Sequence, residues 1–184
     1  TALQLKNTSQ TLQKPMSIVF REAKHNDTVA IWSILQQAIL RRKNDGSTQW
    51  QDGYPNTDSI KNDLKHQAGY VLEQDQTIIG YTAVYLNDEP AYENIEGKWL
   101  TNNEFVVVHR IAIGESQIGK GLAKLILNHV EELAISKKIY SIKGDTNYDN
   151  LPMLHLFKSL GYHYCGEVYF RGSPRKAFEK ILQP

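Results

Sequence analysis

The chain has 184 residues, a hydrophobic fraction of 41%, a charged fraction of 22% and a formal net charge of +1. That length and balance suit one globular domain with a sizeable core, and the near-neutral charge gives no electrostatic reason to expect DNA, RNA or an anionic membrane as partner. The apolar runs fall far short of the ~20 residues that a bilayer span requires, and the single cysteine, Cys165, cannot form an internal disulfide, so a reducing compartment such as the cytoplasm is expected.

Thr1 to Pro15 scatters Leu3, Leu5 and Leu12 among Gln, Asn, Ser and Thr, without the charged start and apolar centre of a secretory signal. Residues 1–15 are therefore read as a leader or flexible extension, and 16–184 as a single domain. Met16 opens the first strand, which continues through Ile18 to Arg21. Asp27 is placed to cap a helix whose apolar residues Ile31, Ile34, Leu35, Ala38 and Ile39 recur at helical spacing, until Asn44-Asp45-Gly46 stops it. Trp50 to Asn56 is an aromatic-rich loop, and a second helix is predicted from Asp58 to Gln67.

Tyr70–Glu73 and Thr77–Leu86 form a predicted hairpin around Gln74-Asp75-Gln76. Residues 87–103 are irregular, and Phe105–Ile113 is the strongest strand, with Val106, Val107 and Val108 implying burial on both faces. A helix from about Gly119 to Ser136 carries Leu122, Ile126, Val130 and Leu133 on one stripe. Tyr140–Asp145 is the next strand. Asn150 then caps a helix with Pro152 in its first turn and Gly161 at its end. Tyr162–Tyr169 and Ala177–Leu182 close the domain around Gly172-Ser173-Pro174, and an exposed edge there would support a homodimer as well as a monomer.

The segment from Arg110 to Lys124 joins a buried strand to a helix through a glycine-containing turn. First-turn amides have no helical partner and sit at the positive end of the helix dipole, so the turn suits a phosphate. Gly119 and Gly121 lack a Cβ that would hold such a group away, and Lys120 and Lys124 add charge. Glycines that simply permit a sharp turn explain the same residues equally well. A P-loop requires Ser or Thr after its lysine, whereas Gly121 follows Lys120. A dinucleotide fingerprint requires a third glycine where Lys124 stands, although Asp145 would suit its ribose-binding acid. The central place of the unit and the few remaining strands rank that scheme second.

Three further blocks accompany the turn. They are Asn150-Leu-Pro-Met-Leu-His-Leu-Phe157 running on to Gly161-Tyr162, the loop Trp50-Gln-Asp-Gly-Tyr-Pro55, and Arg21-Glu-Ala23 followed by Asp27. In this order the set resembles the GNAT acetyltransferase superfamily across roughly residues 17–182, as a small bacterial-type member. The family's Arg/Gln-x-x-Gly-x-Gly/Ala pattern is matched at Gly121 and Ala123, while Ile118 stands where Arg or Gln is usual and Gln117 lies one place early. The resemblance implies an α/β (α+β) fold with a mostly antiparallel, mixed central sheet of six to seven strands and helices on both faces. It implies acetyl-CoA as co-substrate, with the pantetheine arm in a slot where the strands Phe105–Ile113 and Tyr140–Asp145 splay apart. Ile111, Ala112 and Ile113 would meet that arm; Gln117, Ile118, Gly119, Lys120, Gly121, Leu122 and Ala123 would cradle the pyrophosphate. Asn150, Met153 and Phe157 would line the far side. Many relatives carry a tyrosine acid where Phe157 stands, so proton delivery to the thiolate would fall to water or another tyrosine.

Acetyl transfer to an amine requires removal of a proton from the amine and stabilisation of the developing oxyanion, for which the Ile111 amide is a candidate. Glu104 and His109 are the candidate bases, both expected to face the slot; strand alternation would put His109 on one face with Ile111 and Ile113. A solvated strand-end acid and a packing histidine are their structural alternatives. Trp50 and Tyr54 are candidates for the acceptor pocket, and Tyr92 and Trp99 carry the same choice between pocket and core. The acids Asp88, Glu89, Glu93 and Glu96 would attract a cationic amine or simply solvate a loop. The six histidines show no metal-ligand spacing, and Cys165 has no activating helix terminus. The resulting expectation is an acetyl-CoA-dependent N-acetyltransferase acting on a primary amine of a small molecule or amino-acid-like acceptor. Acyl-CoA binding without catalysis and acetylation of protein N-termini are the alternatives.

Overall fold

The computed structural model describes residues 17–184, so residues 1–15 and the start assigned to Met16 lie outside it. Eight strands form one sheet in the order β1-β2-β3-β5-β6-β8-β7-β4, and every neighbouring pair is antiparallel except β5 and β6. The strands are β1 (Ile18–Glu22), β2 (Gly69–Gln74), β3 (Thr77–Leu86), β4 (Glu96–Gly97), β5 (Val106–Ile113), β6 (Ser141–Thr146), β7 (His163–Phe170) and β8 (Ser173–Ile181). The expected six to seven strands become eight because the segment read as irregular contributes β4, two residues paired with β7. Another reading changes at this end of the sheet. The last hairpin turns at Arg171-Gly172, both at positive φ, so Ser173 and Pro174 belong to β8. Of the closing strands, β8 is interior, and β4 pairs with only Gly166 and Glu167 of β7.

Helices α1 (Thr28–Asn44) and α2 (Thr57–Lys65) cover one face of the sheet; α3 (Leu122–Ser136) and α4 (Leu151–Ser159) cover the other. The predicted stripe of α1 packs Ile31, Ile34, Leu35 and Ala38 on Val71, Tyr81 and Ala112. Across the sheet, Ile126, Leu127 and Val130 of α3 and Phe157 of α4 pack with Val106, Val108, Ile142 and Phe178. Both faces of the valine run in β5 are buried, as its composition requires, because Val107 joins a third cluster with Tyr92 and Trp99 under the 87–103 segment. Asp27 does not cap α1 through its side chain. Its carboxylate instead accepts bonds from the Arg21 guanidinium at 2.8 and 3.0 Å and from the Lys24 amide at 2.7 Å. None of the described helices is long and apolar enough to cross a membrane.

β5 is interrupted by a bulge. Tyr81 pairs with Ala112 and Ala83 with His109, so Arg110 and Ile111 together oppose Thr82, and Arg110 adopts φ +53°. A left-handed arginine inside a strand requires outside support. Asp63 of α2, fully buried, supplies it: the Arg110 guanidinium pairs with both carboxylate oxygens, which also accept the hydroxyls of Tyr81 and Tyr85, the latter at 2.7 Å. The same guanidinium reaches the Tyr54 hydroxyl, tying the Trp50–Asn56 loop to the sheet.

Removing one member of a buried pair leaves the other charge uncompensated, which costs about 3–5 kcal/mol. Asp63→Ala should therefore lower unfolding free energy by about that amount in urea denaturation. A loss below about 1 kcal/mol, the range of an exposed ion pair, would contradict this account of the bulge.

Candidate active site

β5 and β6 start as parallel neighbours and separate. They pair only at Val106 with Ile142 and Val107 with Lys143, so beyond those residues the edge of β5 meets a cleft instead of a strand. The cleft holds about 250 Å³; Ile111, Ala112 and Ile113 form one wall, and Asn150, Met153 and Phe157 the other. Ile118 and Ala123 stand at the glycine turn, and Trp50 reaches in from the loop after α1. The residues assigned to the pantetheine arm and to its far side thus come together around one opening.

The glycine turn is less helical than its sequence implies. A 3-10 turn spans Glu115–Gln117, and α3 begins only at Leu122, because Gly119 and Gly121 take φ +81° and +74°. Nothing lies within 4 Å of where a Cβ would stand on either glycine, so their conformation alone accounts for the residue type. The amides of Gly119, Lys120 and Gly121 have no backbone partner among the described residues, and Gly121 gives α3 no side-chain cap. With the first-turn amides of the buried Leu122 and half-buried Ala123 they form a row of donors at a helix N-terminus, exposed at residues 119–121. Gln117 accepts the Lys120 ammonium at 3.1 Å, which keeps that charge beside the row. Arg41 of α1 steadies the approach by donating to Glu115 at 2.6 Å and to the Ile113 carbonyl at 3.2 Å. On the opposite side Asn150 caps α4 by accepting the Met153 amide at 3.3 Å and donates to Gln49 at 3.0 Å.

A second hollow of about 50 Å³ shares Gln49, Trp50, Arg110 and Asp145 with the cleft and adds Tyr54, His109, Phe170, Arg171 and Arg175. His109 reaches it because of the bulge. Strand alternation predicts a common face for His109, Ile111 and Ile113, but His109 faces Glu89, Tyr92 and Phe170, while Ile111 packs with the α3 and α4 cluster. His109 Nε2 lies 2.8 Å from Glu89 Oε2. Burial acts to raise the Glu89 carboxyl, but the hydrogen bond and charge of His109, the Ala91 amide and the Arg110 charge together outweigh it and hold the group below the usual carboxylate range. Glu89 therefore stays ionised and accepts, so Nε2 carries the proton and Nδ1 is left as the other ring site.

Glu104 is elsewhere. It is exposed at the start of β5 and lines a different cleft with Lys138, Tyr140 and Ser141, because the strands diverge toward their C-terminal ends and Glu104 precedes the paired end. Trp50 and Tyr54 both line the small hollow; Trp50 adopts φ +62°, and the Tyr54 ring stacks under the Arg171 guanidinium at 4.2 Å. Tyr92 and Trp99 belong to the core, but the Tyr92 hydroxyl donates to Asp145 Oδ1 at 2.6 Å. Of the four loop acids only Glu89 is drawn inward; Asp88, Glu93 and Glu96 are exposed. Phe157 packs on Phe178 and Tyr162 with ring centroids 4.9 Å apart in each case, and among the described residues no tyrosine lines the cleft beside it.

Sequence reasoning misses Arg110, Gln49, Arg171 and Arg175 at this site, and it weighs Asp145 only for a rival scheme. A charged residue inside the Val-Val-Val-His-Arg-Ile run was the available signal for Arg110. Removal from water raises the Asp145 carboxyl above the usual carboxylate range, against the pull of His109, Tyr92 and Arg175. A carboxyl raised on folding contributes stability fully below its unfolded value, and that contribution is lost as pH rises through the folded value. Asp145→Asn keeps the acceptor for Tyr92 and removes the cost of ionisation. It should raise Tm at pH 7 by roughly 2–4 °C, and the gain should shrink toward pH 4. Calorimetric melts at the two pH values check this; an unchanged or lower Tm at pH 7 would refute it.

The chain is similar to known proteins over most of its length. The model of the acetyltransferase (GNAT) family matches residues 28–162. Among solved structures, a GNAT-family acetyltransferase from Streptococcus agalactiae 2603 is 35% identical and superposes with a TM-score of 0.83, over 91% of this chain and 96% of that one. A GNAT-family acetyltransferase from Listeria monocytogenes 4b F2365 shares the fold at 20% identity and a TM-score of 0.73, covering 90% and 95% of the two chains. A ribosomal-protein-alanine N-acetyltransferase from Brucella melitensis does so at 15% identity and a TM-score of 0.65, covering 89% and 99%. No curated protein sequence matches the chain.

Proposed function

Because the chain belongs to the GNAT acetyltransferase family, whose members move an acyl group from acetyl-CoA to an amine, we propose that it acetylates the primary amine of a small molecule. The observation that carries this reading is the small hollow beside the cleft, walled by titratable side chains and by the stacked Tyr54 and Arg171. A hollow of that size favours a compact amine over a polypeptide. The cleft fits acetyl-CoA: free amides at 119–121 suit a diphosphate, and the unpaired edge of β5 suits an amide-bearing arm. Bound there, acetyl-CoA supplies a thioester whose C–S bond breaks as the new C–N bond forms.

Gly119 to Ala123 hold the diphosphate through backbone donors, so Ile118 in place of Arg or Gln removes one side-chain contact and leaves the main ones. Ile111 to Ile113, Met153 and Phe157 exclude water from the arm. His109 accepts the amine proton at Nδ1, with Glu89 fixing the tautomer and balancing the charge that His109 gains. Asp145 stands on the cofactor side of the hollow and attracts an ammonium into it. With Phe157 in place of a tyrosine, the departing thiolate takes its proton from water. Direct transfer follows from cleft and hollow sharing walls, with no acyl-enzyme step on Cys165, which is buried in β7 with its thiol pushed up by burial. A buried free thiol also suits a reducing compartment such as the cytoplasm.

Release of free thiol from acetyl-CoA in the presence of a panel of small amines should be amine-dependent. Coenzyme A binding with no release on any amine would overturn catalysis in favour of a binding module, and turnover of N-terminal peptides alone would overturn the small-molecule acceptor. His109→Gln should lower kcat/KM by about 10²–10⁴-fold while coenzyme A affinity measured by calorimetry is kept. A loss under about threefold would remove His109 from the mechanism.

A further inference from the structure

Four cationic or basic side chains border the small hollow, and three have a carboxylate of their own. Arg110 pairs with Asp63, Arg171 with Asp52 at 2.6 Å and His109 with Glu89 at 2.8 Å. Arg175 does not. It sits inside β8, opposite Val168, with 7% of its surface exposed. None of the ion pairs among the described residues includes it. Its Nε is enclosed and has no hydrogen-bond partner among the described residues. A buried guanidinium nitrogen without a hydrogen-bond partner is costly, even with the Phe170 ring centroid 5.8 Å from the group, and the planar fork of donors matches a carboxylate. Asp145, across the same hollow, feels the charge of Arg175 without reaching ion-pair distance.

We propose that Arg175 is the carboxylate-recognition residue of the acceptor pocket, and that the acceptor is a small amino acid or a close analogue whose amine and carboxylate lie a few bonds apart. The inference rests on the acetyl-transfer reading and names its substrate class. The hollow holds groups of both signs: Asp145 and His109 face the ammonium and its released proton, and Arg175 receives an anion. The hollow is far smaller than the neighbouring cleft, about 50 against about 250 Å³, which favours a compact acceptor. The acceptor's carboxylate thus supplies the partner that the fold denies Arg175. Service as a counter-charge for Asp145 alone is the competing account, and it predicts no dependence on the acceptor's carboxylate.

The test uses the full chain, acetyl-CoA, the proteinogenic L-amino acids with β-alanine, and the methyl ester of each. Thiol release is followed, and binding of the same compounds is measured by calorimetry on protein saturated with coenzyme A. The wild type should prefer at least one free amino acid over its ester by about 100-fold or more in kcat/KM, because the ester leaves Arg175 unpaired. Arg175→Met should bring that preference to within about threefold of unity with coenzyme A affinity kept, and Arg175→Lys, which retains the charge without the fork, should restore part of it. Equal turnover of acids and esters by the wild type would overturn the proposal while leaving acetyl transfer intact. Carboxylate-dependent binding without turnover would overturn acetyl transfer and support Arg175. A preference that survives in Arg175→Met, or no binding and no turnover of any compound, would overturn the proposal. Because Arg175 is buried, coenzyme A titration of each variant reports whether it is folded, and Arg175→Lys supplies the comparison if Arg175→Met is not.

Discussion

The buried contact between Asp63 and Arg110 decides the shape of the functional region. It takes a residue from α2 and one from the middle of β5 and holds the latter in a left-handed conformation that an isolated strand would reject. Everything downstream follows from that one extra residue in the ladder. His109 and Arg110 face the side of α1 and α2 in succession, Ile111 to Ile113 return to the other phase, and β5 bends away from β6. The opening is therefore made by strand geometry and needs no mobile lid. The cost of burying the pair is offset locally, since Tyr54, Tyr81 and Tyr85 satisfy the remaining donors and acceptors.

The same bulge separates two kinds of recognition. On the cleft side the protein offers backbone: free amides at the glycine turn and an unpaired strand edge, neither of which depends strongly on side-chain identity. On the hollow side it offers side chains, nearly all of them held by partners outside the hollow itself. Asp52, Asp63 and Glu89 neutralise Arg171, Arg110 and His109 from behind, so the field inside is set by the two groups without such backing, Asp145 and Arg175. A co-substrate common to a family can be held by main chain, while an acceptor must be distinguished by residues that vary.

Phe157 shows how a departure in sequence is absorbed. Its ring closes the cleft and joins the aromatic packing with Tyr162 and Phe178, so the helix that carries it is positioned as firmly as a tyrosine would position it. The departure removes only the hydroxyl that a tyrosine would carry. The glycine turn shows a similar economy: Ile118 contributes no charge, but Lys120, held by Gln117, and Arg41, held by Glu115, keep positive groups on either side of the amides.

How much was legible in advance depended on the range of the physics involved. The amphipathic stripe of α1, the valine run of β5, the glycine turn and the Asn150 cap are set by neighbours a few residues away, and each was readable from the amino-acid order alone. The residues expected to meet coenzyme A occupy one continuous strand-turn-helix unit and one short helix, and the structure brings residues 111–113, 118, 123, 150, 153 and 157 of them around one cleft. The small hollow was readable only in part, through Trp50, Tyr54 and His109. Its walls come from residues 49–54, 109–110, 145 and 170–175, brought together by sheet order and by a bulge that shifts strand phase. Alternation placed His109 on the wrong face for that reason, and Glu104 was assigned to the slot because the direction in which two strands diverge is not encoded locally. Periodicity reports which side of an element is apolar; only tertiary pairing decides which buried charge meets which, and here those pairings determine what the pocket can hold.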